Sequence, residues 1–169
     1  MSNVNRYRRG PRQLVEIPVA SATVIEKGDI VLVVSGLATT PSLVYVEDTY
    51  AGNEATLQAA AALLVAGIAE TPSAAGDTDD VLVDVSLEAI YELQQASAAA
   101  ISFGDLLEVG CSSWAGDSWY GKDDVVDPMG DTYTSPIAVC VKAHTAAEGA
   151  GTLCKLLPSK LMNSIAGQS

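Results

Sequence analysis

Apolar residues in this chain come in short runs cut by turn-formers, and that spacing confines it to a fold of many brief strands. Val81, Val83, Val85 and Leu87 alternate with increasingly polar neighbours, the pattern of a half-buried strand. Residues 137–142, which follow Pro136, read the same way, and the unbroken run Ile30–Val34 predicts a strand buried on both faces. Residues 43–46 and 153–157 complete a set of short strands. Between them recur Lys27-Gly28-Asp29, Ser35-Gly36, Ala75-Gly76-Asp77, Phe103-Gly104-Asp105 and Ala115-Gly116-Asp117. Strands this short, with turns this frequent, predict an all-β sandwich or barrel.

With 169 residues the chain is the size of one domain and can bury about 70 % of its unfolded surface. We place that β-rich domain at 14–158, between an extended basic arm, 1–13, and a C-terminal tail, 159–169. Hydrophobic residues make up 49 % of the chain, but Ala and Val dominate them and there is one Phe, so the core is expected to be built from small and β-branched side chains. One helix is predicted over 54–64, with Asn53 as N-cap, Glu54 in the first turn and Gly67 as the stop. Residues 86–97 contain good helix formers yet also alternate, and are read as strand. Cys111, Cys140 and Cys154 are odd in number and lack CxxC spacing, which points to buried free thiols rather than a disulfide framework or a zinc site.

A weak internal repeat relates Glu26-Lys27-Gly28-Asp29-Ile30-Val31 to Ser102-Phe103-Gly104-Asp105-Leu106-Leu107. Both place Gly-Asp ahead of an apolar strand, where glycine permits a positive φ and the Asp side chain can bond local amides. Turn formation accounts for both carboxylates without a catalytic role.

Catalytic signatures are sparse. Residues 116–123 match GxxxxGK but end in Asp123 where a phosphate-binding loop needs Ser or Thr, and Asp127-Pro128 blocks the helix such a loop must open. His144 is the single histidine, so any Ser/His or Cys/His pair would have to use it; a loop position is the simpler reading. Asp117, Asp123, Asp124, Asp127 and Asp131 form an acidic stretch without EF-hand spacing, read as solvated rather than as a cation site. Trp114, Trp119, Tyr120 and Tyr133 are four of nine aromatics packed into this same stretch, which suits a partner-facing loop or a locally packed one. No cofactor or metal is expected.

Charge is distributed unevenly. Arg6, Arg8, Arg9 and Arg12 are four of the nine Lys/Arg, while all 21 Asp/Glu lie beyond them and the net charge is −12. A cationic segment on an anionic body can hook nucleic acid, sit on a membrane surface, dock an acidic partner or fold back on the body itself. The acidic body is unsuited to covering phosphates. No apolar run approaches the roughly 18–20 residues that span a bilayer, and the N-terminal region lacks the apolar core of a secretory signal, so synthesis in a cytoplasm is expected.

The order of these pieces resembles the small Ala/Gly/Val-rich head decoration, or capsid cement, proteins of tailed bacteriophages. The resemblance runs over about 14–157, through Val15-Glu16-Ile17-Pro18-Val19, Lys27-Gly28-Asp29-Ile30-Val31, Val65-Ala66-Gly67-Ile68-Ala69-Glu70, Ala75-Gly76-Asp77 before Val81-Leu82-Val83, and Phe103-Gly104-Asp105-Leu106; residues 111–134 look like an insertion. It implies a non-enzymatic homotrimer on the virion exterior whose partner is the major capsid protein, with neither membrane nor direct nucleic-acid binding. The arm would be the fastening, with Arg6, Tyr7, Arg8, Arg9 and Arg12 meeting shell carboxylates and residues 13–19, Val15 and Ile17 among them, adding a strand to the shell. The alternative is a β-sandwich recognition module for carbohydrate or another surface, using Trp114, Trp119 and Tyr120.

Overall fold

The structure is a computed structural model that describes residues 6–41, 54–95, 100–109, 113–115, 118–120, 125–128, 136–143 and 151–157. Among the described residues it is an all-β fold with a short helix, α1 (Glu54–Leu64). Its strands are β1 (Arg6–Arg9), β2 (Leu14–Ile17), β3 (Ile30–Val34), β4 (Leu37–Thr39), β5 (Val65–Ala69), β6 (Val81–Asp84), β7 (Ile90–Gln95), β8 (Leu106–Val109), β9 (Ser113–Ala115), β10 (Ser118–Tyr120), β11 (Val125–Pro128), β12 (Ala138–Cys140) and β13 (Gly151–Leu156). The expected strand 43–46 and the Asn53 cap lie outside the described residues. No helix among the described residues is long and apolar enough to cross a membrane.

Pairing closes ten of these strands into two small barrels, with β1 added outside β7 and β9 and β10 paired with each other. The first, barrel A, runs β2-β6-β5-β3-β4, and a parallel bridge from Val19 to Ala38 brings its ends together. The second, barrel B, runs β7-β13-β12-β8-β11, and β11 returns to β7 in parallel through Val125↔Gln94 and Val126↔Gln95. Closure removes most of the open edges that would otherwise invite pairing with other chains, although Val19 rather than β2 itself makes the closing bridge of barrel A.

The two barrels are one design used twice. β2, β3, β4, β5 and β6 correspond to β7, β8, β11, β12 and β13, with antiparallel and parallel neighbours in the same places. The Gly-Asp repeat is the most local sign of it. Glu26 N–H donates to Asp29 Oδ2 and Ser102 N–H to Asp105 Oδ2, each at 2.7 Å, around Gly28 (φ 98°) and Gly104 (φ 90°). Each turn then docks identically on its barrel: Gly28 and Asp29 exchange hydrogen bonds with Ala69, as Gly104 and Asp105 do with Cys140.

Barrel A is filled by Val19, Ile25, Val31, Ala38, Ala69, Val81, Val83 and Val85. A larger cluster fills barrel B, with Tyr91, Leu93, Leu107, Cys140, Cys154 and Leu156, and continues onto Ile30, Leu32, Val65, Ile68 and Ala61. β3 is therefore buried on both faces, as its unbroken apolar run predicts: Val31 points into its own barrel, while Ile30 and Leu32 face the other cluster. Ala60, Ala61 and Ala62 let α1 lie close on this seam, where Gln58 Nε2 donates to Val109 O at 3.2 Å.

Several expectations need correction. The helix has the predicted span, but Gly67 does not stop it; α1 passes directly into β5, and Gly67 is buried inside that strand. The strand beginning at Val81 ends at Asp84, leaving Leu87 exposed, and Asp84, assigned to solvent by the alternation, is fully buried. It points out of barrel A, but that outer face is covered. Residues 86–97 do contain a strand, β7. The stretch 111–134 divides: β9 and β10 form an extra hairpin, whereas β11 takes the place in barrel B that β4 takes in barrel A. Finally, the basic arm is extended but not free, since Arg6–Arg9 pair with β7.

Candidate functional site

The arm is held by backbone pairing first and charge second. β1 runs antiparallel to β7 through Arg6↔Glu92, Tyr7↔Tyr91 and Arg9↔Ile90, with a register irregularity between Tyr7 and Arg9. Gly10 follows at φ 109°, pressed on the Glu88 carbonyl so closely that no Cβ would fit. Tyr7 Oη donates to the Gly10 carbonyl, and the Arg12 guanidinium lies over the Tyr7 ring, 4.7 Å from its centroid.

Among the described residues, three carboxylates receive the arm. Arg8 pairs with Glu92, and Arg12 pairs with both Glu70 and Asp84, its Nε standing 2.8 Å from Asp84 Oδ2. Lys27 Nζ reaches Glu70 at 3.4 Å. The buried Asp84 carboxylate also accepts from Gln13 N–H at 3.2 Å and Ser86 N–H at 3.1 Å. Burial alone would lower the Arg12 pKa, but the hydrogen bond to Asp84 and the charges of Glu70 and Asp84 outweigh it and hold it above its ordinary value. Burial first, then the Asp84 carboxylate, pushes the Tyr91 phenol up.

Tyr7, Arg12, Lys27, Ile68 and Glu70 line a cleft of about 240 Å³ between the arm and the 27–28 turn. Its two cations are matched by Glu70 and Asp84, so it offers no surplus charge to an anion. The cleft's chemistry is that of a seam fastening the arm.

The same seam recurs in barrel B with its polarity reversed. Glu88 stands to β7 as Arg12 stands to β2, and Lys155 stands in β13 as Asp84 stands in β6; Lys155 Nζ meets Glu88 Oε2 at 3.3 Å. The B pair is exposed, the A pair largely covered.

Of the sequence-predicted contact residues, Arg8 and Arg12 are thus brought onto the chain's own acids. Tyr7 and Arg9 are exposed at the surface; Arg6 is placed by backbone pairing with Glu92. Val15 is 40 % exposed on β2 and Ile17 is half-buried. Trp114 and Trp119 are register partners in the β9–β10 hairpin, and Tyr120 opposes Ser113. Tyr133, His144 and Cys111 lie outside the described residues, as do most of the acidic stretch and the glycines and lysine of the 116–123 match. Sequence reasoning missed Asp84, Glu70, Lys27 and Tyr91. Extending the Gly-Asp repeat toward the N-terminus aligns Arg12 with Glu88, but aligning Asp84 with Lys155 requires a gap of five residues between the turn and β12, which the sequence repeat does not show.

Cys140 and Cys154 are free, buried register partners, as expected of core thiols. Burial pushes both thiols up, so little thiolate is available as nucleophile. Neither should react with a water-soluble aromatic disulfide reagent until the chain unfolds. Peptide mapping after native labelling checks this; rapid stoichiometric modification of either residue would contradict the buried pair.

Comparison with protein-family models, with curated proteins and with solved structures gave no significant match, so the chain is assigned to no family by similarity.

Proposed function

We propose that this chain is a non-enzymatic capsid decoration protein that binds the outside of a tailed-phage head as a homotrimer and braces the major capsid protein. The supporting observation is that the two turn-strand pieces central to the resemblance, 26–31 and 102–107, occupy equivalent places in a duplicated all-β body. Three copies of such a body in one oligomer would multiply weak individual contacts through effective concentration. The exposed Tyr7 and Arg9 are the arm's available contacts, whereas Arg8 and Arg12 hold the arm in place.

Quantitative mass spectrometry of purified heads tests the reading. A molar ratio to the shell protein of order one is expected; absence from heads would remove it. The arm test follows from the structure: deleting residues 1–13 would also delete β1 and Arg12, so Arg9→Glu is the cleaner variant. It should weaken head binding and reduce its salt sensitivity while the fold is kept.

A recognition-module reading retains one specific support: the hairpin carrying Trp114 and Trp119 is extra to the duplicated plan. A glycan array compared between the natural chain and Trp119→Ala would show Trp-dependent binding if that reading holds.

A further inference from the structure

The duplication reveals a place where the two barrels are finished differently. In barrel B the outer edge of β7 at Ile90, Tyr91 and Glu92 carries an added antiparallel strand, β1. The equivalent edge of barrel A is Leu14, Val15 and Glu16 of β2, and among the described residues no strand lies on it; closure with β4 begins only at Val19. Gln13 O accepts from Val85, so by strand alternation Leu14 and Glu16 turn their backbone groups away from β6 toward that edge. An edge of unpaired N–H and C=O groups is a template for another strand.

The side chains carry the same mark. Val15 lies opposite Val83 on the inner face of barrel A yet is 40 % exposed, whereas its counterpart Tyr91, beneath β1, is 0 % exposed. Leu14 beside it is 45 % exposed. Moreover, Glu92, which receives Arg8 of β1, has its counterpart in Glu16, which is exposed at the same register position. The free edge thus repeats both the backbone slot and the acid that hold a basic strand elsewhere in the chain.

We infer that the outer edge of β2 is a second strand-acceptor site, which takes an extended basic segment of a partner protein in antiparallel pairing, with an Arg or Lys facing Glu16. The chain's own N-terminal strand is already used on β7. A copy that lent it to a neighbour's β2 would uncover its own β7 and gain no net pairing, so the segment belongs to a different protein. That this protein is the capsid shell rests on the decoration reading; the site itself does not.

A synthetic peptide of residues 5–11, Asn-Arg-Tyr-Arg-Arg-Gly-Pro, serves as the test strand, added to the full-length chain. Saturable one-site binding is expected, with slowed amide hydrogen exchange at Leu14 and Glu16. Glu16→Lys should weaken binding about tenfold by placing like charges opposite one another. Leu14→Pro, which removes an outward N–H while leaving the β6 ladder intact, should weaken it as well. Absence of saturable binding, protection confined to Ile90–Glu92, or indifference to both substitutions would overturn the site. If the peptide binds but the chain is absent from heads, the site stands and the shell is not its partner. If the chain is abundant on heads but ignores the peptide, the decoration reading stands and the strand-acceptor site falls.

Discussion

Replacing Arg12 by alanine is expected to destabilise the chain by about 3 kcal/mol or more, since it strands a buried carboxylate whose charge is otherwise compensated. Asp84 has no exposed side-chain surface, and among the described residues Arg12 is the cation that meets it; the two amides from Gln13 and Ser86 soften the loss without supplying charge. For a chain this long such a loss corresponds to a melting temperature lower by about 10 °C. The reversed pair provides the control. Lys155→Ala removes the equivalent ion pair in barrel B, but Glu88 is 72 % exposed there, and an exposed pair contributes at most about 1 kcal/mol. Urea unfolding of both variants measures the difference. Equal, small effects would mean that Asp84 is not sealed from water.

Gly67→Ala should be at least as damaging, for a steric reason. A Cβ at Gly67 would run into the Asp84 carbonyl oxygen and lie 2.8 Å from its carbon, and backbone cannot yield as a flexible side chain can. Relief requires β5 and β6 to separate, costing about 3 kcal/mol, at the upper end of overpacking penalties. Barrel B has Ala138 at the corresponding position, where the methyl group is accommodated. The difference accompanies the register irregularity between Val31 and Leu32, which barrel A carries in its β3–β5 pairing. Circular dichroism with urea titration is the measurement; a variant as stable as the natural chain would show that the strands can part freely.

These two residues also mark where sequence reasoning stops. Local signals carry far: Ile30–Val34 announces a strand buried on both faces, residues 54–64 a helix, and the Gly-Asp pairs a recurring turn. Each depends on neighbours within a few positions. Gly67 reads as a helix stop because its reason for being glycine, the Asp84 carbonyl, lies in another strand. Asp84 reads as solvent-facing because alternation gives the face a residue occupies, not whether something covers that face. Arg6-Tyr7-Arg8-Arg9 shows no apolar alternation, and its strand exists because the β7 edge supplies partners for its backbone. The arm's charge is legible, and so is the possibility of folding back; which acids receive Arg8 and Arg12 depends on closure of two barrels that no local pattern encodes.

The extra hairpin has a practical consequence. Barrel B connects β8 to β11 through an entire pair of strands, yet closes in the same way as barrel A, which makes the corresponding connection with Ser35 and Gly36 alone. Gly36 faces open space, with nothing within 4 Å of a Cβ placed there. The Ser35-Gly36 turn is therefore the point at which foreign sequence can be grafted, giving a scaffold that displays a chosen peptide while both barrels remain shut.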